Sequence, residues 1–185
     1  MSTFGTHGNC IKVASGKYVD LVDPDPATID IESIGAALGK LCRFGGHCPR
    51  FYSVAEHCIH ASKLALDDGY MGDALRAVFL HDAAEAYVGD MVRPLKMHIS
   101  QYHEFEARIE KAIEARFNIQ FEPWRDIIKK YDQEMLKTER YQMWPLDKTE
   151  WAGMDGAYHV VLLRYYPPNE ATFYFEQFAQ TLKIT

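Results

Sequence analysis

The sequence predicts an all-α domain with a small β-hairpin near its N-terminus. Several stretches carry apolar residues at the three- and four-residue spacing of amphipathic helices. Gly- and Pro-containing turns separate these stretches, and no repeat or low-complexity linker divides the chain. At 185 residues, the chain is long enough for one domain with a sizeable core. We therefore expect a hairpin and lead-in over residues 1–28, packed on a helical domain over residues 29–185.

The hairpin and the first helix follow from the first quarter of the chain. Residues 10–21 alternate apolar and polar side chains around the turn-prone dipeptide Ser15-Gly16, which predicts a peripheral hairpin. Prolines at 24 and 26 end that pattern, and Thr28 can then cap a helix that ends near Arg43. The apolar side of this helix would carry Ile31, Ile34, Leu38 and Leu41.

The next two helices carry the most unusual residues of the sequence. The motif Ser53-Val54-Ala55-Glu56 has the form of a capping box and predicts a helix to about Asp67, with His57 in its first turns. A further helix should open at Gly72 or Asp73 and continue to about Tyr87. That second helix would include the dipeptide His81-Asp82.

The C-terminal half is predicted to contain three more helices, after an ordered loop over 89–100. Amphipathic patterns cover about 101–117, 124–143 and 169–182. The second of these helices contains Asp132. Residues 158–166 have a strand-like, largely apolar composition that does not decide between strand and helix.

Composition limits the partners and the compartment that we expect. The net charge of −6 argues against stable binding to nucleic acid, whereas a small anionic ligand needs only a local basic pocket. No apolar run is long enough to cross a membrane, and residues 1–8 lack the regions of a signal peptide. The four cysteines form no CxxC pair and are interpreted as free thiols. We therefore expect a cytoplasmic protein.

The dense group of ionisable residues after Phe79 predicts a metal site. His81, Asp82, Glu85 and Asp90 lie within ten residues of an otherwise apolar segment. Burying such groups is costly unless they are paired, and a divalent cation is an effective partner for adjacent His and Asp residues. On a helix, His81 and Glu85 would share a face. Other helices must complete the site, and they offer His57 and Asp132, with Asp126 and Asp147 as alternatives to Asp132.

The order of His57, His81-Asp82 and Asp132 on successive helices resembles the HD-domain metal-dependent phosphohydrolases. Glu85 and Asp90 look like the catalytic acids of bacterial 5′-deoxynucleotidases and of small phage-type deoxynucleoside triphosphohydrolases. The segments Leu41–Phe44 and Phe51–His57 resemble the part of those enzymes that binds phosphate and nucleoside. The similarity covers roughly Ile29 to Glu139. It implies a single HD-domain helical bundle.

The resemblance assigns the metal ligands as His57, His81, Asp82 and Asp132. It implies one divalent ion, which could be Co, Mn, Zn, Fe, Ni or Mg. A second ion, to which His60 could contribute, is the less favoured alternative, because the extra His pairs of dinuclear HD enzymes are not evident. We interpret His60 as a partly exposed histidine instead.

The same resemblance suggests roles for the remaining polar residues. Glu85 could orient or deprotonate the attacking water, and Asp90 could assist it or protonate the leaving oxygen. A Trp is common in the resembling enzymes where this chain has Phe44, which leaves base selectivity open. Arg43 could instead cap the first helix, and Lys96 could be solvated. The expected substrate-binding residues are Arg43, Phe44, His47 and Lys96.

The compact length of the chain, the Phe44 departure and the segment Cys42-Arg43-Phe44-Gly45-Gly46-His47 favour a triphosphohydrolase that converts a dNTP, such as dATP, into deoxynucleoside and triphosphate. A 5′-deoxynucleotidase that releases orthophosphate from dNMPs is the alternative within the same family. A non-catalytic nucleotide-binding regulatory module is the alternative from another class, and a nucleic-acid phosphodiesterase fits the net charge of −6 poorly. The resemblance also implies a homo-oligomer.

Overall fold

A computed structural model of the protein describes residues 8–149, 151 and 161–185. Within these ranges the chain is mostly helical, as predicted, with a two-stranded antiparallel hairpin near the N-terminus. The strands are β1 (Cys10–Lys12) and β2 (Tyr18–Asp20). The helices are α1 (Ile31–Leu38), α2 (Val54–Asp67), α3 (Gly72–Phe79), α4 (Glu85–Val88), α5 (Arg93–Lys96), α6 (Ser100–Phe117), α7 (Arg125–Met143) and α8 (Pro168–Thr181). None of the described helices has the length and apolarity needed to span a bilayer.

Helix α2 forms the centre of the fold. It packs against α3, α7 and α8, and its buried residues lie on every side of the helix. A helix that is buried around its whole circumference belongs to the interior of a domain. Its polar residues Glu56, His57 and His60 are buried as well and therefore require partners from other elements.

The hairpin lies where the sequence predicts it and contributes to the core. Ile11 pairs with Val19 across the two strands, and Val19 is completely buried in the main hydrophobic cluster. The helices over 101–117, 124–143 and 169–182 are also confirmed, with ends within one residue of the prediction. The predicted loop over 89–100 contains the short helix α5. Residues 158–160 of the unassigned apolar run lie outside the described residues, and 161–166 form no helix or strand.

The prediction for the first helix was wrong at both ends. Thr28 belongs to a short 3-10 turn, and the residue that caps α1 is Asp30, whose side chain accepts a hydrogen bond from the Ser33 N–H. The helix ends before Gly39, where α8 crosses closely. A Cβ atom at Gly39 would collide with Thr172 of α8, so the close approach of the two helices requires glycine.

The helix predicted over 72–87 is broken at the His-Asp dipeptide. Helix α3 ends at Phe79, residues 80–84 form turns, and α4 begins at Glu85. In an unbroken helix, the Val78 carbonyl would accept from the Asp82 N–H. Here His81 Nδ1 donates to that carbonyl instead, at 2.7 Å. The side chain of His81 thus replaces a rung of the helical hydrogen-bond ladder.

The capping box at the start of α2 is only half formed. Ser53 Oγ accepts from the Glu56 N–H at 3.1 Å, as predicted. The Glu56 carboxylate does not return to the helix end but accepts from the backbone N–H groups of Arg164, Tyr165 and Tyr166. Glu56 therefore attaches the segment that precedes α8 to the central helix.

Replacement of Asp30 by Ala should destabilise the protein by about 1–2 kcal/mol, because α1 loses its cap. Burial raises the pKa of Asp30, but hydrogen bonds from Ser15 and Ser33 outweigh it and lower the pKa. The carboxylate therefore stabilises the fold above its unfolded pKa of about 4, and this stabilisation is lost as the pH falls. Urea unfolding of wild type, D30A and D30N at pH 7 and pH 3.5 checks the prediction.

D30N is the matched control for charge, since Asn retains a capping oxygen. D30N should lie between wild type and D30A at pH 7, and its difference from wild type should shrink at pH 3.5. A D30A variant as stable as wild type at pH 7 would contradict the prediction.

Candidate metal centre

Three elements bring the four predicted metal ligands together. His57 lies in the second turn of α2, His81 and Asp82 lie in the turn after α3, and Asp132 lies on α7. His57 Nε2 is 3.3 Å from His81 Nε2 and 3.3 Å from Asp132 Oδ1. Asp82 Oδ2 is 3.2 Å from His81 Nε2 and 3.7 Å from His57 Nε2. Both imidazoles and both carboxylates thus converge on one small volume.

The orientation of both imidazoles is fixed by hydrogen bonds on their far sides. His81 Nδ1 donates to the Val78 carbonyl, which can only accept, so the neutral ring has its lone pair on Nε2. His57 Nδ1 lies 2.6 Å from Glu139 Oε1. This contact places the proton of a neutral His57 ring on Nδ1, so its Nε2 also faces the cluster with a lone pair. Two Nε2 lone pairs that face each other at 3.3 Å repel unless a proton or a cation lies between them.

Neighbouring charges shift the pKa values of this cluster in directions that favour a bound cation. Burial and Arg43 lower the pKa of His57, but Glu139 and Asp132 outweigh them and raise it to about 9. Burial raises the pKa of Asp82, yet His81, His57 and Arg43 hold it well below the usual range. Burial raises the pKa of Asp132, but His57 and His81 outweigh it and lower the pKa. Both Asp side chains are therefore carboxylates, and the raised pKa of His57 means that its ring holds an extra proton near neutral pH, which a bound cation would displace.

The donor set fits a divalent metal ion. Two imidazoles and two carboxylates suit Mn, Co, Fe, Ni and Zn. Ligand atoms of His57, His81 and Asp132 all lie within 4.8 Å of one another, and so do those of Cys58, His81 and Asp82. The far-side hydrogen bonds of the two histidines are those that orient metal ligands in proteins. The cluster could therefore hold one metal ion.

Glu139 is a residue of this site that sequence reasoning missed. It is completely buried, and its carboxylate contacts both His57 and Arg43. Burial raises the pKa of Glu139, but Arg43 and His57 outweigh it and lower the pKa. Its position seven residues after Asp132, which places it on the same side of α7, was the signal available in the sequence.

Of the two predicted catalytic acids, Glu85 is buried and Asp90 is partly exposed. Burial raises the pKa of Glu85 well above its usual value, and the charges of Asp82 and Asp90 raise it further. None of the described groups hydrogen-bonds Glu85 Oε2, although this atom is buried. Burial also raises the pKa of Asp90. Both carboxyl groups can therefore hold a proton closer to neutral pH than a solvated acid can.

Arg43 is held by the site and does not cap the first helix. Its Nε and one terminal nitrogen lie 3.3 and 3.2 Å from Glu139 Oε2. Its other terminal nitrogen is 3.5 Å from Asp82 Oδ2. The guanidinium also lies over the ring of Phe44, 5.6 Å from the centroid. Arg43 thus connects the ligand cluster to the loop that contains Phe44.

The other three predicted substrate-binding residues have different surroundings. Phe44 has a φ of 58° and meets Trp144 edge-on, with ring centroids 5.2 Å apart. His47 is exposed on the same loop. Lys96 is not simply solvated, because it forms an ion pair with Glu106 and lies over the ring of Tyr102.

The interpretation of His60 as partly exposed was wrong. This side chain is buried, and its Nε2 lies 3.3 Å from Glu56 Oε1. The alternative ligand Asp126 is exposed. Within the described ranges, neither Asp126 nor Asp147 belongs to a group of possible metal ligands. The four cysteines are free thiols, as predicted.

A cavity of about 330 Å³ opens onto His81 and Asp132. Its wall includes two cations, Arg125 and Lys129, which sequence reasoning did not single out. Both lie on α7, upstream of Asp132, and Arg125 forms an ion pair with Glu122. The remaining wall is formed by Glu110, Phe121 and Ile128.

The fold and the site together define a mainly helical protein with a His-Asp cluster that could hold a metal ion, in which the imidazoles are buried and the two Asp side chains are partly exposed. No protein-family model matches the chain. The chain is 36% identical to the protein YfdR of Escherichia coli K12 over 149 residues, which cover 79% of each chain. It therefore belongs to the same family as YfdR.

A second relative comes from Rhodobacter capsulatus. It is 37% identical over 113 residues, which cover 58% of this chain and 58% of the relative. Both relatives are named as uncharacterized proteins, so the comparison defines a family and assigns no activity.

Proposed function

We propose that this protein is an HD-domain metal-dependent phosphohydrolase that acts on deoxynucleoside 5′-phosphates. The observation that carries the proposal is the approach of two imidazoles and two carboxylates from three elements. Their order along the chain, His57, His81-Asp82 and Asp132, is the order of the ligands in that superfamily. The unpartnered Glu85 Oε2 beside Asp82 supports catalysis over simple metal storage.

The residues of the site can divide the work of hydrolysis. His57, His81, Asp82 and Asp132 would hold a divalent ion, which would lower the pKa of a bound water and polarise a phosphoryl oxygen. Glu85, whose carboxylate has a buried oxygen without a hydrogen-bond partner among the described groups, orients the water and takes its proton. Asp90 protonates the leaving oxygen, and the positive charge of Arg43 stabilises the phosphoryl group.

The compact length of the chain, the Phe at position 44 and the segment from Cys42 to His47 favour a triphosphate over a monophosphate. The formal charges of the cavity beside the ligands balance, since Glu110 and Asp132 offset Arg125 and Lys129, and Arg125 pairs with Glu122. Lys129 could contact the outer phosphates of a triphosphate. The proposed reaction is therefore hydrolysis of a dNTP to deoxynucleoside and triphosphate.

A panel of ribo- and deoxynucleoside mono- and triphosphates, offered with Co, Mn, Mg or Zn, tests the proposal. We expect turnover of a dNTP with release of inorganic triphosphate, and loss of turnover on addition of EDTA. Orthophosphate released from dNMPs would instead indicate a 5′-deoxynucleotidase. If no nucleotide is hydrolysed with any metal, the proposed function is wrong.

The pair Asp132→Asn and Asp126→Asn tests the ligand assignment within the same assay. Both variants remove one carboxylate from α7, but only Asp132 lies in the cluster. D132N should lose about 100-fold or more in turnover, whereas D126N should match wild type. Equal activity of the two variants would contradict the assignment of Asp132.

A further inference from the structure

Glu139 occupies an unusual place between two parts of the site. It lies on α7, about two turns after Asp132, and no part of its side chain is exposed. Arg43, its cationic partner, is nearly buried, with 11% of its side chain exposed. Buried ion pairs seldom add net stability over a well-packed apolar pair, so their presence calls for another explanation.

The two oxygens of Glu139 contact two different residues of the site. Oε1 accepts from His57 Nδ1 at 2.6 Å. Oε2 accepts from the Nε and one terminal nitrogen of Arg43, at 3.3 and 3.2 Å. One carboxylate therefore fixes both the ring of a metal ligand and the plane of a guanidinium.

Each contact affects the atoms of its partner that face the ligand cluster. The hydrogen bond to Nδ1 keeps the proton of neutral His57 away from Nε2, the atom that faces His81 and Asp132. The contact with Arg43 leaves its other terminal nitrogen directed toward Asp82, at 3.5 Å. The guanidinium thus stays beside the ligand cluster, where a phosphoryl group would bind.

We propose that Glu139 is a positioning residue that holds His57 for metal binding and Arg43 for phosphate binding at the same time. The proposal rests on the proposed function for its phosphate part only. The metal part depends on His57 alone and can be measured without substrate. Loss of Glu139 should therefore weaken metal binding and substrate binding together, although Glu139 touches neither.

Co²⁺ titration of wild type, E139Q and E139A, followed by visible absorption and calorimetry, tests the metal part. Removal of a carboxylate that orients a metal-binding histidine typically costs 10–100-fold in affinity. We expect about a 10-fold loss for E139Q, which keeps an oxygen for His57, and a larger loss for E139A. The visible spectrum of bound Co²⁺ should also change, since the His57 ring is no longer held in place.

R43M separates the phosphate part from the metal part. This variant removes the arginine but leaves the bond between Glu139 and His57. Because it also removes a positive charge 3.5 Å from Asp82 Oδ2, Co²⁺ affinity should not fall below that of wild type. Its KM for dATP should rise about 10-fold or more, and E139Q should show a similar rise. Because both variants disturb the same contact, the double variant E139Q/R43M should have the KM of R43M alone.

D126N is the matched control, because it removes an exposed carboxylate from the same helix. If E139A does not fold by circular dichroism, E139Q and E139D decide the question. A Co²⁺ affinity of E139Q within twofold of wild type, with an unchanged spectrum, would overturn the proposal. If wild type hydrolyses no nucleotide while E139Q still binds Co²⁺ more weakly, the proposed function fails and the metal part stands.

Discussion

Replacement of Glu85 by Gln is expected to lower nucleotide turnover by about 10²–10⁴-fold while metal affinity stays close to that of wild type. Gln has the size of Glu but cannot take or release a proton. Glu85 is only 7% exposed, and its Oε2 has no hydrogen-bond partner among the described groups. Because Glu85 belongs to no group of possible ligands in the described part of the chain, its replacement should spare the metal.

The stability of E85Q shows whether a loss of turnover comes from the missing acid or from a disturbed fold. Burial, Asp82 and Asp90 raise the pKa of Glu85, so its charged form opposes folding above the unfolded pKa of about 4. Gln removes that charge, and E85Q should therefore be at least as stable as wild type at pH 8. Thermal unfolding at pH 8 and steady-state kinetics with saturating Co²⁺ or Mn²⁺ check both expectations.

An exposed acid provides the control for Glu85. Glu104 lies on the surface of α6, and E104Q should change neither turnover nor stability appreciably. A regulatory module that only binds nucleotide would be indifferent to E85Q. Turnover of E85Q within a few-fold of wild type would thus exclude the catalytic role of this residue.

Replacement of Glu56 by Ala is expected to destabilise the protein by about 3–5 kcal/mol. The completely buried carboxylate accepts from three successive N–H groups, those of Arg164, Tyr165 and Tyr166, at 2.6, 3.0 and 2.8 Å. These donors lie in a segment without helix or strand, so no hydrogen-bond ladder satisfies them. Each partly buried donor left without a partner costs about 1–3 kcal/mol, less where water can reach it.

Urea unfolding at pH 7 measures this effect, and two variants control it. E56Q keeps one acceptor oxygen but turns an amide NH2 toward the same donors, so its stability should fall between those of wild type and E56A. E32A removes an exposed acid from α1 and should stay within about 0.5 kcal/mol of wild type. An unfolding midpoint of E56A equal to that of wild type would show that the segment before α8 is held by other contacts.

The sequence predicted most of the helices because the information for them is local. Apolar spacing and terminal residues place α6, α7 and α8 within one residue of their ends. The cap at Ser53 is also a local signal. The same reasoning extended α1 to Arg43, whereas the helix ends at Leu38. The close packing of Thr172 against Gly39, which local spacing does not reveal, joins helices that are distant in the chain.

Some features of the site were also predictable from the sequence, whereas others depended on the tertiary structure. The residue types and the order of His57, His81, Asp82 and Asp132 are properties of the sequence and were enough to predict a metal site. Helical spacing alone favours a continuous helix through His81. Only the tertiary structure shows that the His81 side chain bonds to the Val78 carbonyl and interrupts the helix.

Two buried carboxylates mark the limit of what the sequence determined. Glu139 reaches His57 across 82 residues, and Glu56 reaches Tyr166 across 110 residues. Local patterns gave Glu56 a place in a capping box and gave Glu139 no role beyond a charged helix position. A buried charge must find its partners wherever the fold brings donors within reach. Only the packing of α2 against α7 and the segment before α8 decided which donors those are.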